Sequence, residues 1–408
     1  MKGSVFILLA ILIYCGLNFS CKNRQSAPVP ISTYQETIIK LDQKEFDYYA
    51  NALNDFFNER LLRTSFNGSI LVAKKGNIVY EKYVGYADLR KKDSGSITAT
   101  TPIHIASVSK TFTAIAILQM VQEKKLSLDD SLNKFFPGLP YPGITIKMLL
   151  NHRSGLPNYI YFVSNSEWDK NIFVTNKDVL NILYTEQPNK SFTAGTRFSY
   201  SNTNYVLLAL IIEKLSGLPF PQYMKQKIFD PLRMNNSYVF TLADSLKATP
   251  SFNYDGSYYQ NDFLEGTYGD KNVYTTPRDL LKWDQALYTG WLIRKSLLDT
   301  AFTAYSNERP SMHNYGLGWR LLDFPNGKRI VYHFGRWHGF NAAFARLIND
   351  SATIIILGNR FTRNIYNTAH EAYNIFDNYS RSPEADEEAD STLNEEKKFL
   401  PEIKKKRK

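Results

Sequence analysis

Two residues whose types and spacing could do chemistry stand three positions apart, Ser107 and Lys110, in the run Ile105-Ala106-Ser107-Val108-Ser109-Lys110. A serine hydroxyl is a weak nucleophile at neutral pH and needs a neighbouring base; a lysine held neutral can serve. If Ser107 opens a helix, the two side chains share one face a single turn apart. Residues 111–123 (TFTAIAILQMVQE) are mostly helix formers, apolar on nearly every side from Phe112 to Val121. That pattern predicts a buried helix rather than a surface one. Its start would aim backbone N–H groups and the positive end of the helix dipole at the reacting atoms. Burial and that potential together would lower the lysine pKa, as a base requires. The plainer alternative is that Ser109 only caps the helix, S-x-x-K being a common spacing.

Other chemistries find little support. There is no H-E-x-x-H, no calcium loop, no P-loop and no G-x-S-x-G elbow. The only cysteines are Cys15 and Cys21, both near the N-terminus, so the body of the chain has no disulfide, thiol nucleophile or cysteine metal site. No metal and no cofactor are expected. At 408 residues the chain suits one large domain or two intimate ones. The net charge of +10 suits an anionic envelope polymer or lipid, and equally plain solubility. No basic helix with interleaved aromatics is present, which argues against nucleic-acid binding.

The N-terminus reads as a targeting segment. Lys2 precedes an apolar stretch over residues 5–17, too short to span a membrane comfortably. Asn18-Phe19-Ser20-Cys21 follows and resembles a bacterial lipoprotein cleavage site, with Cys21 lipidated. A plain secretory signal or an uncleaved anchor are the alternatives. The expected layout is a signal over 1–21, a polar linker over 22–42, a folded domain over 43–380 and a charged, disordered tail over 381–408.

Within the domain, residues 44–63 have helical spacing. Residues 68–73 and 78–85 read as two strands joined around Lys75-Gly76. A short helix is expected from Asp129-Asp130-Ser131, a clear one over 204–215 closed by Gly217, and another starting at Thr276-Pro277. The aromatic-rich residues 252–268 read as a surface loop that could line a substrate groove. Four strand-like runs, 315–322, 329–334, 340–348 and 352–357, predict an antiparallel meander, and a last helix is expected over 364–379.

Residues 148–156, with His152-Arg153-Ser154-Gly155 at their centre, carry a family likeness together with the S-x-x-K stretch and the 66–85 hairpin. They resemble the serine β-lactamase and penicillin-recognising hydrolase family, in its class C-like branch of β-lactamases, D,D-peptidases and esterases. The likeness runs from about residue 66 to residue 359. It implies a β-lactamase/transpeptidase-like α+β fold: an antiparallel sheet from both chain ends, flanked by helices, with an inserted mostly helical region and the site in the cleft between. It also implies that Tyr200-Ser201-Asn202 is the family's Y-x-N. Tyr200 beside Lys110 would act as base, and Asn202 would hydrogen-bond the substrate amide and the lysine. His152 is read as a structural tie in its loop.

The family's third motif is K-T-G on a strand beside the nucleophile. The resemblance puts His333-Phe334-Gly335 there, followed by Arg336. Gly335 would let a substrate lie against the strand edge. The N–H of Arg336 would complete an oxyanion hole with that of Ser107. His333 can donate a hydrogen bond and can carry charge near neutral pH, but it is a weaker anchor for a carboxylate than lysine. Phe334 brings no hydroxyl. An esterase or D,D-peptidase is therefore expected over an efficient β-lactamase. His338 is read as a rim residue.

The sequence thus points to an exported, lipid-anchored, monomeric serine hydrolase of the cell envelope, periplasmic or on the outer side of the cytoplasmic membrane. It would act through an acyl-enzyme on small-molecule or peptide esters and amides, cell-wall peptides among them. Two readings compete: a non-catalytic substrate- or β-lactam-binding sensor using the same cleft, and a structural lipoprotein with a vestigial site. Loops set specificity and carry no readable code, so the natural substrate is not legible.

Overall fold

Short, largely apolar runs from the two ends of the folded region build one sheet. The structure, a computed structural model, describes residues 34–379 apart from 36, 37, 92 and 94. The signal, Cys21, most of the linker and the tail lie outside the described residues. Twelve strands run through these residues: β1 (Gly68–Lys74), β2 (Asn77–Val84), β3 (Ile103–His104), β4 (Tyr238–Val239), β5 (Ser251–Phe252), β6 (Tyr258–Tyr259), β7 (Val273–Thr275), β8 (His313–Tyr315), β9 (Arg320–Asp323), β10 (Arg329–Trp337), β11 (Phe340–Leu347) and β12 (Ala352–Gly358). Seven form an antiparallel sheet in the order β2-β1-β12-β11-β10-β9-β8. The chain ends meet where β1 pairs with β12, from Gly68 opposite Gly358 to Lys74 opposite Ala352. Gly68 permits that pairing, since a Cβ there would lie 2.0 Å from the Leu357 carbonyl oxygen.

The central strands β1, β11 and β12 are buried along their whole length, so both sheet faces are covered. Successive side chains alternate between faces. Ile70, Val72, Ile354 and Ile356 meet Leu53 and Phe57 of helix α1 (Gln43–Phe57) and Ile365 and Ala369 of the helix Asn364–Ala372. Leu71, Ala73, Ile355 and Leu357 face the core that includes Phe112 and Ile115 of helix α2 (Ser109–Gln122). Helix α2 is buried from Ser109 to Leu118, as its all-round apolar pattern requires. Its Phe112 ring stacks on Trp283 at 4.1 Å, in the helix Pro277–Tyr288 that Thr276 caps. Burying one such ring is worth about 2 kcal/mol. Among the described residues no helix is long and apolar enough to cross a membrane.

Five expectations need correction. The 44–63 helix gives way after Phe57 to a wider turn, Asn58–Leu62, and the last helix stops at Ala372 before a tight turn, Tyr373–Ile375. The 315–322 strand is broken into β8 and β9, because Gly318 takes φ +85° with no room for a Cβ, which would lie 2.3 Å from that of Ala114. The 252–268 stretch is not a surface loop throughout: Phe252, Leu264, Glu265 and Thr267 are buried. The end of the linker is docked rather than free. The Tyr34 N–H donates to the Pro231 carbonyl at 3.0 Å, and Leu41 is buried.

Candidate active site

A tight turn, Ala106–Val108, precedes α2 and sets Ser107 one turn before Lys110. Ala106 takes φ +47°, a conformation costing a residue with a Cβ roughly 1–3 kcal/mol. The surroundings impose it. The Ala106 N–H donates to His104 Nδ1 at 3.2 Å, and the Ile105 N–H to the Val273 carbonyl at 2.9 Å. Lys110 is fully buried. Its Nζ donates to Ser107 Oγ at 3.1 Å, to Asn202 Oδ1 at 2.8 Å and to the Asp270 carbonyl at 2.8 Å. The i, i+3 spacing therefore does bring hydroxyl and amine together.

Tyr200 and Asn202 come from the bend that enters the helix Thr203–Ser216, itself ended by Gly217 at φ +71°. The Tyr200 ring lies 4.8 Å from Lys110 Nζ and packs on the His152 imidazole, ring centroids 4.3 Å apart. His152 is fully buried at φ +57°, and its Nδ1 accepts from the Ser201 N–H at 3.2 Å.

Strand β10 carries the third group, with one correction to its expected role. His333 is buried, Nε2 lies 3.2 Å from the Tyr315 hydroxyl, and burial with the charges of Arg320 and Lys110 holds its pKa well below the usual histidine range. It is neutral at pH 7 and no cationic anchor. Gly335 has a second reason to be small, because β10 packs against the turn before α2: a Cβ would lie 2.3 Å from the Ile105 carbonyl oxygen and 2.9 Å from Ser107 N. Phe334 points to the other face of the sheet, stacking on Tyr366 at 5.4 Å, so no residue type there could give the site a hydroxyl. Arg336 follows, opposite Asn341 of β11, with its guanidinium 4.8 Å from the Phe361 ring.

Sequence reasoning missed several neighbours. Tyr315 links His152 and His333, and the Arg320 guanidinium lies 5.6 Å from the Tyr200 ring. One of 27 tyrosines has no local signal, and Arg320 is set beside the bend by the β8–β9 hairpin. His338 is less a rim than one end of a buried pair. Its Nε2 lies 2.6 Å from Glu265 Oε1, which also accepts from Trp337 Nε1 at 3.0 Å. Asp262 lies beside them, and these three could hold a cation, but Glu265 and His338 already satisfy each other. Behind them Lys271 Nζ donates to the Tyr159 hydroxyl at 2.7 Å and lies 3.8 Å from Asp270 Oδ2.

Comparison with known proteins follows the same outline. The Beta-lactamase family model matches residues 60–375. Penicillin-binding protein 4* of Bacillus subtilis (strain 168) is 34% identical over 312 residues, 72% of this chain and 68% of that one. The octameric penicillin-binding protein homologue from Pyrococcus abyssi superposes with a TM-score of 0.68 at 26% identity, covering 83% of this chain and 78% of that one. D-amino acid amidase from Ochrobactrum anthropi SV3, complexed with L-phenylalanine amide, has a TM-score of 0.62 at 23% identity over 76% of this chain and 91% of that one, a likeness of fold. Matched over most of its folded length, the chain belongs to the Beta-lactamase family, and it is a serine hydrolase of that family.

Proposed function

We propose that the enzyme cleaves amide or ester bonds of small acyl or D-amino-acid substrates through an acyl-enzyme on Ser107. The observation that carries this reading is the hydrogen bond between buried Lys110 Nζ and Ser107 Oγ at 3.1 Å, the nucleophile–base contact that acyl transfer needs. Ser107 Oγ bonds to the substrate carbonyl carbon as its proton passes to the Lys110–Tyr200 pair. The N–H groups of Ser107 and Arg336 hold the oxyanion, each such donor being worth roughly 3–4 kcal/mol. Tyr200 returns the proton to the leaving nitrogen or oxygen as that bond breaks, and Asn202 orients the substrate. Water then takes the acyl group from Ser107.

Arg320 favours substrates with a free carboxylate. It faces Tyr200 and Tyr315 and forms no ion pair among the described residues. A guanidinium binds carboxylates in bidentate fashion and stays charged, which neutral His333 does not. Without the lysine of K-T-G, β-lactams are expected to acylate Ser107 but turn over slowly. We read the enzyme as exported, lipidated at Cys21, held at the cell envelope and monomeric, from its N-terminal sequence and soluble composition. Cys21→Ala moving the protein from the membrane to the soluble fraction, and light scattering at one chain mass, would support this.

The decisive test is intact-mass labelling with a fluorophosphonate beside p-nitrophenyl ester turnover. Labelling and turnover present in the wild type and absent in Ser107→Ala are expected. A folded wild type that is never labelled would overturn the reading and favour a binding protein.

A further inference from the structure

Tyr200 sits in a bend between Ser199 and the helix Thr203–Ser216, with no strand or helix of its own to fix it. A phenol that passes a proton must be held to well within an ångström. His152 touches the bend three times. The Ser199 N–H, before Tyr200, donates to the His152 carbonyl at 2.9 Å. The Ser201 N–H, after it, donates to His152 Nδ1 at 3.2 Å. Between them the imidazole lies against the Tyr200 ring.

The rest of the environment fixes the imidazole in one form. Asn204 Nδ2 lies 3.1 Å from the same Nδ1, and Ser154 Oγ donates to Asn204 Oδ1 at 2.6 Å, which orients that amide. With Nδ1 accepting, the ring proton is on Nε2, which has no hydrogen-bond partner among the described residues. The rings of Phe198, Tyr200, Tyr205 and Tyr315 surround it, and the charged groups acting on it are Lys110 and Arg320, with His333 alongside. Burial first, then those charges, hold its pKa well below the usual range. A second ring proton would face the Ser201 N–H head on. His152 itself is held at φ +57°, a conformation that persists only where surroundings impose it.

We infer that His152 is a positioning residue: as the neutral Nε2–H tautomer it clamps the backbone on both sides of Tyr200 and supports its ring, fixing the phenol against Lys110. This rests on Tyr200 being the proton relay proposed above.

The test uses the full-length enzyme. His152→Asn keeps an acceptor near the place of Nδ1 and tolerates the positive φ. His152→Phe keeps a ring and loses the acceptor. Tyr200→Phe runs beside them, with kcat and KM for a p-nitrophenyl ester and a thermal melt for each. Selective 15N-histidine labelling of the wild type reads the tautomer directly and does not depend on any variant folding. Expected are a kcat about 100-fold lower in His152→Phe with KM changed less than about threefold, recovery to within about tenfold of wild type in His152→Asn, and an Nε2–H resonance pair that does not titrate between about pH 6 and 8. A folded His152→Phe at wild-type kcat, equal losses in both His152 variants, or a His152 that titrates in that range would overturn the clamp. Tyr200→Phe at full kcat would overturn the relay and the clamp with it. An impaired Tyr200→Phe beside an unimpaired His152→Phe would overturn the clamp alone.

Discussion

Two groups of largely buried side chains meet at Lys110, and they keep polar atoms out of water in opposite ways. Asn202 brings in the first: His152, Tyr200, Tyr315 and His333, held by neutral hydrogen bonds and ring contacts. Asp270 brings in the second: Lys271, Tyr159, Glu265 and His338, held by ion pairs and bonds to them. Burial pushes both histidines of the first group down, and Lys110 and Arg320 push them the same way. Burial pushes Glu265 up, but His338, Lys271 and Trp337 outweigh it and hold the carboxyl down at about 2. The first group therefore fails when a charge is added, the second when one is removed. The first touches the groups proposed to move protons; the second mainly fixes the chain behind them.

The largest effect should come where the groups meet. Lys110→Met removes the base and a buried amine together. Ester turnover should fall about 10³-fold, the range for general-base catalysis, while the melting temperature stays level or rises. A Lys110→Met enzyme that loses stability in step with activity would mean that the lysine is structural, and the division between the groups would fail at its centre.

Gly335→Ala comes next. Its Cβ would meet the Ile105 carbonyl oxygen at 2.3 Å, so either β10 or the turn bearing Ser107 must move. Misplacing one oxyanion donor should cost about 10²-fold to 10³-fold in kcat. Fluorophosphonate labelling should slow in step, measured as the rate of mass gain. Labelling at the wild-type rate would show that the oxyanion site lies elsewhere.

The ionic group should answer in stability instead. Glu265→Gln leaves His338 and Lys271 without the carboxylate that faces them, at a cost of about 3 kcal/mol. Turnover should change less than the melting temperature does. The sign with pH follows from a carboxyl lowered from 4.5 to about 2. Its stabilisation is present above about pH 4.5 and is lost as pH falls towards 2, so wild type and variant should converge in acid. A Glu265→Gln enzyme that keeps its stability and loses its activity would reverse the assignment.

The same contrast explains what the sequence could tell. The S-x-x-K spacing, the apolar run of α2 and the apolar runs of β1, β2, β11 and β12 are local patterns, and each appears in the structure where it is expected. The joining of β1 to β12 is not local; only the family likeness pointed to it. At His333 the residue type suggested a charge that burial forbids, because a single sequence does not reveal which side of a strand is dry. Glu265 and His338 lie 73 residues apart, and their pairing depends on how a buried loop meets the turn after β10. The stretch 252–268 misled for the same reason: its aromatic residues read as a surface loop, while Glu265 was being folded inward.

The smallest effect tests whether neutral burial extends one step further back, to His104 on β3. Its Nδ1 accepts from the Ala106 N–H and its Nε2 lies 2.9 Å from Asn272 Oδ1, so it joins the strained turn to the Asp270–Asn272 segment. Burial lowers its pKa from 6.5 to about 4. The unfolded chain takes up that proton near pH 6.5 and the folded chain only near 4. Stability is therefore fully present above 6.5 and is lost as pH falls from there towards 4. Between pH 6.5 and 5.5 this one group should cost about 1 kcal/mol. Denaturant midpoints at the two pH values, in wild type and in His104→Asn, measure it, because asparagine keeps an acceptor for the Ala106 N–H and does not titrate. A smaller drop in the variant would place His104 with the neutral group, where protonation loosens the turn that carries Ser107. An equal drop would confine acid sensitivity to His152 and His333, and the turn would owe its shape to backbone bonds alone.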